Sequence, residues 1–279
     1  MTESIRFEIE SGIATITLNR PERMNAFTWE MIDAWAEALA ECRNNDAVSV
    51  VVVTGAGKAF CSGGDIGEMK KRGDRTPLER KSELETHVHK IPLALEALDK
   101  PVIAAINGAA TGAGLDLALM ADLRIAAESA RLGETYVKVG LVPGAGGAWF
   151  LPRLVGTAKA LELFWTGDII DAREAERIGL VNRVVPDAEL ISATHALAKK
   201  IASGPPLSVR FIKRAVKEGL RSDLRSALDL ISSHYAVVAT SADHREAVAA
   251  FSRSASRTLP VAEPSPRIAT GQIGSRSAE

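Results

Sequence analysis

The chain has 279 residues, of which 46% are hydrophobic and 25% are charged, and its formal net charge is −1. The length fits one large domain or two smaller ones, and the composition is that of an ordinary globular protein. A charge this close to zero excludes a general electrostatic attraction to nucleic acid or to an anionic membrane. The two cysteines, Cys42 and Cys61, do not make a disulfide framework.

The amino terminus carries acidic residues and lacks the basic and apolar segments of a signal peptide. No segment approaches the unbroken apolar length of a membrane span. We therefore expect a cytoplasmic protein with no membrane partner and no nucleic-acid partner.

The first predicted elements are a β-hairpin and a helix. Apolar and polar residues alternate from Ile5 to Ile9 and again from Ile13 to Leu18, on either side of a Ser-Gly pair. A helix is predicted from Thr28, because apolar residues then recur at helical spacing. These residues are Met31, Ala34, Trp35, Ala38, Leu39 and Cys42.

Three short apolar runs follow and are predicted to be strands: 50–53, 102–106 and 123–126. Each of the first two leads into a glycine-rich turn, and helices are predicted after these turns near 66–71 and 112–120. Residues 81–98 also have a helical pattern, in which Pro92 should introduce a kink or begin a new helix.

Beyond Ala158 the pattern is almost wholly helical. Strands alternating with helices indicate an α/β fold. The segment from Ser252 onward is poor in large apolar residues and is expected to leave the compact fold. The helices predicted beyond Ala158 are 190–201, 206–217 and 224–240.

The two glycine-rich turns, 59–65 and 107–116, are the most informative part of the sequence. Small residues let a ligand approach the main chain closely, so each turn can present a backbone N–H group. Two N–H groups that converge on one atom form an oxyanion hole, which stabilises negative charge on a carbonyl oxygen. Cys61 lies in the first turn, where a small packed residue is a better interpretation than a nucleophile, because no basic partner is evident nearby.

Five segments in this order resemble the crotonase family, also called the enoyl-CoA hydratase/isomerase superfamily. The resemblance covers roughly residues 10–255. It implies a spiral of ββα repeats followed by a helical region that assembles trimers. The five segments are Leu18–Ala26, Lys100–Gly108, Gly140–Gly147, Leu151–Gly156 and Gly179–Pro186.

The resemblance also implies a division of the chain. Residues 1–200 would form the spiral core that binds acyl-CoA, residues 201–258 the helical oligomerisation region, and residues 259–279 a flexible tail. The expected assembly is a homotrimer or a dimer of trimers. No cofactor is expected beyond the coenzyme A moiety of the substrate, and no metal.

The family's two oxyanion donors correspond to the backbone N–H groups of Gly64 and Ala113. Its two catalytic glutamates correspond to Asp116 and Tyr136, so this chain departs from the hydratase pattern at both positions. Tyr has an ordinary pKa near 10 and is a poor base at neutral pH. Asp116 is therefore expected to transfer the proton, although an acid near a helix start can also be purely structural.

Two further residues could supplement this set. Glu134 could supply the missing carboxylate if the local backbone differs from the family's, but a surface or supporting acid is the simpler interpretation. His89 falls where dehalogenases of the family place an active-site histidine, and an imidazole exchanges protons near pH 7. A solvated or packed histidine is the alternative.

The resemblance also implies which residues contact the coenzyme A moiety. They lie in two short segments and near the carboxyl terminus. Phe251 matches a residue that lines the neighbouring subunit's pocket. The segment residues are Arg23, Met24, Ala26, Ser62, Gly64, Asp65 and Ile66.

The function implied is that of an enzyme that stabilises a thioester enolate, with either hydration of a 2-enoyl-CoA or double-bond isomerisation as the outcome. The single retained acid favours isomerisation. A catalytically weak acyl-CoA-binding homologue and a thioester hydrolase remain alternatives.

Overall fold

The computed structural model describes residues 3–71 and 73–258. The expected flexible tail, 259–279, lies outside the described residues. The chain divides into two compact units between His234 and Tyr235. Within the described residues the strands are β1 (Ile5–Glu10), β2 (Ile13–Leu18), β3 (Val50–Gly55), β4 (Ala59–Cys61), β5 (Val102–Ile106), β6 (Ala109–Thr111), β7 (Leu123–Ala127), β8 (Arg131–Gly133), β9 (Ile169–Asp171) and β10 (Arg183–Val185).

Helices cover much of the remaining chain. Short 3₁₀ turns lie at Pro21–Arg23, Thr135–Val139 and Asp187–Glu189, and one π-helical turn lies at Leu84–Val88. The α-helices are α1 (Trp29–Asn44), α2 (Ile66–Lys71), α3 (Pro77–Glu83), α4 (Lys90–Ala97), α5 (Ala113–Leu119), α6 (Gly147–Val155), α7 (Thr157–Thr166), α8 (Ala172–Arg177), α9 (Leu190–Ala202), α10 (Pro206–Gly219), α11 (Leu224–Ala239) and α12 (Ala242–Thr258).

The larger sheet has the strand order β1-β2-β3-β5-β7-β10. Only the β1–β2 pair is antiparallel among these neighbours, and it confirms the predicted hairpin. Its two turn residues, Ser11 and Gly12, both have positive φ, as a tight hairpin turn requires. Val50 to Val53 are fully buried in β3, which is typical of a central strand covered on both faces.

Helix α1 confirms the predicted helix start, because the Thr28 hydroxyl accepts a hydrogen bond from the N–H of Met31 at 3.3 Å. Its apolar face joins the main core, where Trp35 has no exposed surface.

The smaller sheet has the order β4-β6-β8-β9, in which β4, β6 and β8 run parallel. It revises the sequence interpretation, which treated Ala59–Cys61 and Ala109–Thr111 as parts of glycine turns. Along the chain a strand of the large sheet is followed by a strand of the small sheet three times: β3 then β4, β5 then β6, β7 then β8. This repetition is the ββα spiral that the family resemblance implied.

Two predictions of helix were wrong in part. The segment beyond Ala158 contains β9 and β10, and β10 pairs with β7 in the large sheet. The segment 81–98 is divided by the π-helical turn, and α4 begins at Lys90, two residues before Pro92. The predicted helices 190–201, 206–217 and 224–240 are confirmed as α9, α10 and α11.

Candidate active site

Three parallel strands of the small sheet end side by side, and each end is followed by residues that the sequence analysis selected. Parallel strands place their carboxyl ends at the same edge of a sheet, so the segments that follow them become neighbours. The pairs of strand end and following site residue are Cys61 with Gly64, Thr111 with Ala113, and Gly133 with Glu134.

The first turn is held by backbone pairing with the segment that precedes α1. The N–H of Phe27 donates to the carbonyl of Gly63 at 2.9 Å, and the N–H of Asp65 donates to the carbonyl of Phe27 at 3.0 Å. Successive N–H groups along an extended chain point in opposite directions, so the N–H of Gly64 points away from Phe27. Gly63 has a φ of +95°, which favours glycine.

The second turn leads directly into α5. Gly112 has a φ of +52°, and its N–H donates to the carbonyl of Gly133 at 2.8 Å. Ala113 is the first residue of α5, so its N–H has no acceptor four residues earlier in the helix. Each turn therefore has one N–H group that its own backbone pairing does not use: that of Gly64 in the first turn and that of Ala113 in the second.

The two turns are in backbone contact with each other. A methyl group on Gly63 would lie 3.5 Å from the nitrogen of Ala113, and a methyl group on Gly114 would overlap the carbonyl of Cys61. At Gly114, only a residue without a side chain permits this approach. The contact brings the segments that carry Gly64 and Ala113 together, as two converging donors require.

Cys61 is not placed to act as a nucleophile. Its thiol is fully buried and donates to the carbonyl of Asn25 at 3.1 Å. Burial raises the pKa of the Cys61 thiol to about 12, so the thiolate does not form at neutral pH.

Two asparagines that the sequence analysis did not select hold strand β4 in place. The side-chain amide of Asn25 donates to the carbonyls of Ala59 at 2.7 Å and Ala56 at 2.9 Å. Asn107 donates to the same Ala59 carbonyl at 3.1 Å and accepts from the N–H of Gly55 at 3.0 Å. The sequence did contain a signal for this role, because each asparagine stands near a glycine turn and its side-chain amide can both donate and accept a hydrogen bond.

Asp116 lies one helical turn after Ala113 and is fully buried. Its Oδ2 accepts hydrogen bonds from the hydroxyl of Tyr136 at 2.6 Å and from the N–H of Ala145 at 3.3 Å. Burial raises the pKa of the Asp116 carboxyl, and hydrogen bonding with Tyr136, Gly147, Glu134 and Ala145 opposes that rise.

Tyr136 is a hydrogen-bond donor to Asp116 rather than a base. Burial, followed by the neighbouring Asp116 carboxylate, raises the pKa of the Tyr136 phenol above its ordinary value. A methyl group on Gly112 would lie 4.0 Å from the Tyr136 ring, so this ring borders the turn that leads to Ala113. Tyr136 thus connects the acid to the second turn.

Glu134 is not at the surface, which leaves the supporting acid of the two interpretations that the sequence offered. The residue is fully buried, and its carboxyl group faces that of Asp116. Burial, and then the negative charge of Asp116, raise the pKa of the Glu134 carboxyl to about 10. This direction favours the neutral form of the Glu134 carboxyl group.

His89 reaches the site through a loop. Its Nε2 lies 3.1 Å from the carbonyl oxygen of Gly144, and because a carbonyl only accepts, Nε2 carries the proton. The next residue, Ala145, donates its N–H to Asp116. His89 therefore holds the loop that contributes a hydrogen bond to the acid cluster.

The segments expected to follow coenzyme A lie beside each other, since the N–H of Ser62 donates to the carbonyl of Met24 at 3.0 Å. Asp65 begins α2, accepting from the N–H of Gly67 at 2.8 Å, and forms an ion pair with Arg20 at 3.0 Å. Of the predicted residues, Arg23, Met24 and Ile66 are exposed, Ser62, Gly64 and Asp65 are half-buried, Ala26 is buried, and Phe251 is exposed on α12.

Comparison with known proteins identifies the family. Residues 8–256 match the family model described as enoyl-CoA hydratase/isomerase. The chain is 37% identical to the 1,2-epoxyphenylacetyl-CoA isomerase of Escherichia coli over 251 residues, covering 90% of this chain and 96% of that protein. It is 39% identical to the short-chain-enoyl-CoA hydratase of Clostridium acetobutylicum over 249 residues, covering 89% and 94%.

Solved structures agree with this result. An enoyl-CoA hydratase structure from Geobacillus kaustophilus superposes with a TM-score of 0.84 at 36% identity, covering 91% of this chain and 97% of that one. A structure from Mycobacterium abscessus, described as a putative enoyl-CoA hydratase/isomerase, gives 0.86 at 34% identity, covering 90% and 96%. The chain belongs to the enoyl-CoA hydratase/isomerase family of enzymes and has the crotonase fold.

The helices were also compared with the requirements for spanning a membrane. In residues 3–71 and 73–258, no helix combines the length and apolar character needed to cross a bilayer. The cytoplasmic location, the three-part division of the chain and the lack of a nucleic-acid partner stay predictions.

Proposed function

We propose that this enzyme moves a double bond in an enoyl-CoA thioester, with the backbone N–H groups of Gly64 and Ala113 binding the thioester oxygen. Asp116 transfers the proton. The observation that carries the proposal is the backbone contact between the two glycine turns, with Asp116 one helical turn beyond Ala113. Donors aimed at a developing oxyanion commonly contribute a factor of about 10² to 10³ in rate each.

The reaction needs a single base. The Asp116 carboxylate removes a proton from the carbon next to the thioester, and the electron pair moves onto the thioester oxygen as an enolate. The same proton then returns to the far carbon of the conjugated system while the oxygen releases its charge. Atoms and charge balance without water or a cofactor.

The ionisation states of the neighbours favour isomerisation over hydration. Hydration in this family is expected to use two carboxylates that share a water, and here the second position is Tyr136. Burial raises the pKa of Tyr136, and burial raises the pKa of Glu134 to about 10, so neither supplies a second base. Asp116 is left as the single carboxylate of the cluster.

The alternative of a catalytically weak acyl-CoA-binding homologue is supported by one observation. Asp116 has no exposed surface, and its carboxylate accepts hydrogen bonds near the start of α6, which is also what a purely structural acid would do. Thioester hydrolysis is a third outcome, which the same assay detects.

The assay supplies a 3-enoyl-CoA, crotonyl-CoA, a dienoyl-CoA and a saturated acyl-CoA to the wild type and to Asp116→Asn. We expect conversion of the 3-enoyl-CoA to the 2-enoyl isomer, and a loss of about 10²-fold or more in the variant. Conversion of crotonyl-CoA alone would instead establish a hydratase, and release of free coenzyme A a hydrolase. Binding of every thioester with no turnover would establish the binding homologue.

We also propose that the enzyme is a homotrimer or a dimer of trimers in which Phe251 contributes to a neighbour's coenzyme A pocket. Support comes from exposed apolar side chains on the carboxyl-terminal helices, which an assembly would cover. Analytical ultracentrifugation tests this, and a stable monomer at micromolar concentration would overturn it. The exposed side chains on α10, on α11 and between them include Ile212, Val216, Leu220, Leu224 and Leu228.

A further inference from the structure

A second carboxyl group lies behind Asp116, in a position that the proposed reaction does not use. Glu134 follows β8 and Asp116 lies on α5, and both side chains are fully buried. Within the described residues, Oδ1 of Asp116 and both carboxyl oxygens of Glu134 have no hydrogen-bond partner of good geometry, although the two side chains lie close enough to interact. Buried polar atoms normally have partners, so these three oxygens require an explanation.

The charged groups around the pair offer no compensating cation. Asp116 and Tyr136 are the titratable groups that interact with Glu134, and the charged residues nearby on β8, the 3₁₀ turn that follows it, α6 and β9 are exposed: Arg131, Lys138, Arg153 and Asp171. No ion pair involves Asp116 or Glu134 among the residues that the structure describes. Two buried carboxylates side by side without a cation cannot both be ionised.

One proton shared between the two groups gives a partner to two of the three oxygens, Oδ1 of Asp116 and the protonated oxygen of Glu134. Oδ2 of Asp116 is already held by Tyr136 and Ala145. A protonated Glu134 can donate to the remaining oxygen, Oδ1. Burial raises the pKa of both groups, but only the Asp116 carboxylate accepts hydrogen bonds from Tyr136 and Ala145, and these favour its charged form and place the proton on Glu134.

We propose that Glu134 is a positioning residue that stays protonated at neutral pH and donates its carboxyl proton to Oδ1 of Asp116. The donated hydrogen bond stabilises the charged form of Asp116, so a fully buried carboxylate remains ionised and available as a base. A carboxylic acid kept neutral by an apolar site, so that it can donate, has a precedent in enzyme chemistry.

This inference deepens the proposed function, because it explains how the single base is kept ionised. It can nevertheless be tested without substrate. Infrared spectra of the wild-type protein near pH 7 report the C=O stretching band of a protonated carboxylic acid. We expect such a band, shifted by ¹³C-labelled glutamate and not by ¹³C-labelled aspartate, and absent from Glu134→Gln.

Two variants then test the effect on Asp116. Glu134→Gln keeps a donor and removes the ionisable group, so the acidic limb of the pH profile of kcat/KM should keep its position. Glu134→Met fills a similar volume but has no hydrogen-bond donor. The acidic limb should therefore move to higher pH by about one unit in this variant, which is the usual effect of losing a hydrogen bond to a charged group. If neither variant nor the wild type turns over substrate, the ¹³C-aspartate carboxylate band gives the same ionisation directly.

Three results would overturn the proposal. The first is a protonated band that is absent, or that persists in Glu134→Gln and disappears in Asp116→Asn. The second is an acidic limb that moves to lower pH in Glu134→Gln, because that shift would mean an ionised Glu134 in the wild type. The third is a Glu134→Met variant that is folded by circular dichroism and has an unshifted limb.

Discussion

The glycine turns and the acid cluster of the candidate site are built from different kinds of contact. The turns meet backbone to backbone, and a single added methyl group at Gly114 would overlap the carbonyl of Cys61. The acid cluster, formed by Asp116, Glu134 and Tyr136, instead depends on hydrogen bonds and burial that set the ionisation of each group.

This difference separates two requirements of the proposed chemistry. A backbone donor has no ionisation state, so its contribution depends on position alone, and glycine permits the position. A buried acid has a position and a protonation state, and both depend on neighbours from other parts of the chain. Substitutions at the turns should therefore lower the rate by the same factor at every pH. Substitutions in the acid cluster should instead change how the rate depends on pH.

The largest expected loss of activity comes from a substitution in the second glycine turn. Ala113→Pro removes the proposed oxyanion donor while keeping a residue that helices accept at their first position. We expect turnover to fall by about 10² to 10³-fold at every pH. The matched control is Thr157→Pro, at the first residue of α7 and also after a glycine with positive φ, which should retain activity.

Comparable activity in the two proline variants, with both folded by circular dichroism, would mean that Ala113 is not a donor.

A second test addresses how tightly the turns pack. Gly114→Ala must force the turns apart, because the neighbouring atom is backbone, and should lower the free energy of unfolding by about 1–3 kcal/mol or more. At Gly64 the nearest atom is the flexible end of Met69, at 2.5 Å, so Gly64→Ala should cost less stability. Urea denaturation compares the two, and equal losses would argue against the close contact.

A third test uses the pH dependence of stability. The pKa of Glu134 is raised from 4.5 to about 10 in the folded protein. Between these values the folded state holds a proton that the unfolded state releases, so this residue makes stability fall as pH rises. The slope is up to about 1.4 kcal/mol per pH unit. Glu134→Gln lacks this slope and should gain stability relative to the wild type as pH increases.

Parallel curves of unfolding free energy against pH for these two proteins would contradict a raised pKa at Glu134.

The smallest expected effect is that of Tyr136→Phe. This change removes one hydrogen bond to Asp116, worth about 1 kcal/mol, and raises the pKa of that carboxyl. We expect a modest loss of rate and an acidic limb moved to higher pH. A loss as large as that of Asp116→Asn would show that the proton travels through the Tyr136 hydroxyl.

Much of the fold followed from the sequence. The hairpin, α1, the three long parallel strands and the helices α9 to α11 have strong periodicity or long apolar runs, and the model confirms them. The strands β4, β6, β8, β9 and β10 have three residues each, which is too short for a pattern to show. Such strands exist because a neighbouring strand supplies their hydrogen bonds.

The sequence analysis predicted a division of the segment 81–98 but not its position or its π-helical turn. Pro92 indicated an interruption, but the π-helical turn occupies Leu84–Val88 and α4 begins at Lys90. His87 in this turn stacks on Trp29 of α1, with ring centroids 4.6 Å apart. Contact between helices distant in the chain accompanies this irregular turn, and local propensity does not report such contact.

The sequence by itself determined the two glycine turns, their order along the chain and the position of Asp116 after the second turn. These are local properties, since a glycine is required where backbone approaches backbone and an acid three residues after a helix start shares its face. The tertiary structure decided that Glu134 is buried against Asp116 and that Tyr136 donates to it. Burial and pKa depend on atoms contributed by separate strands, and those neighbours are assembled only when the small sheet forms.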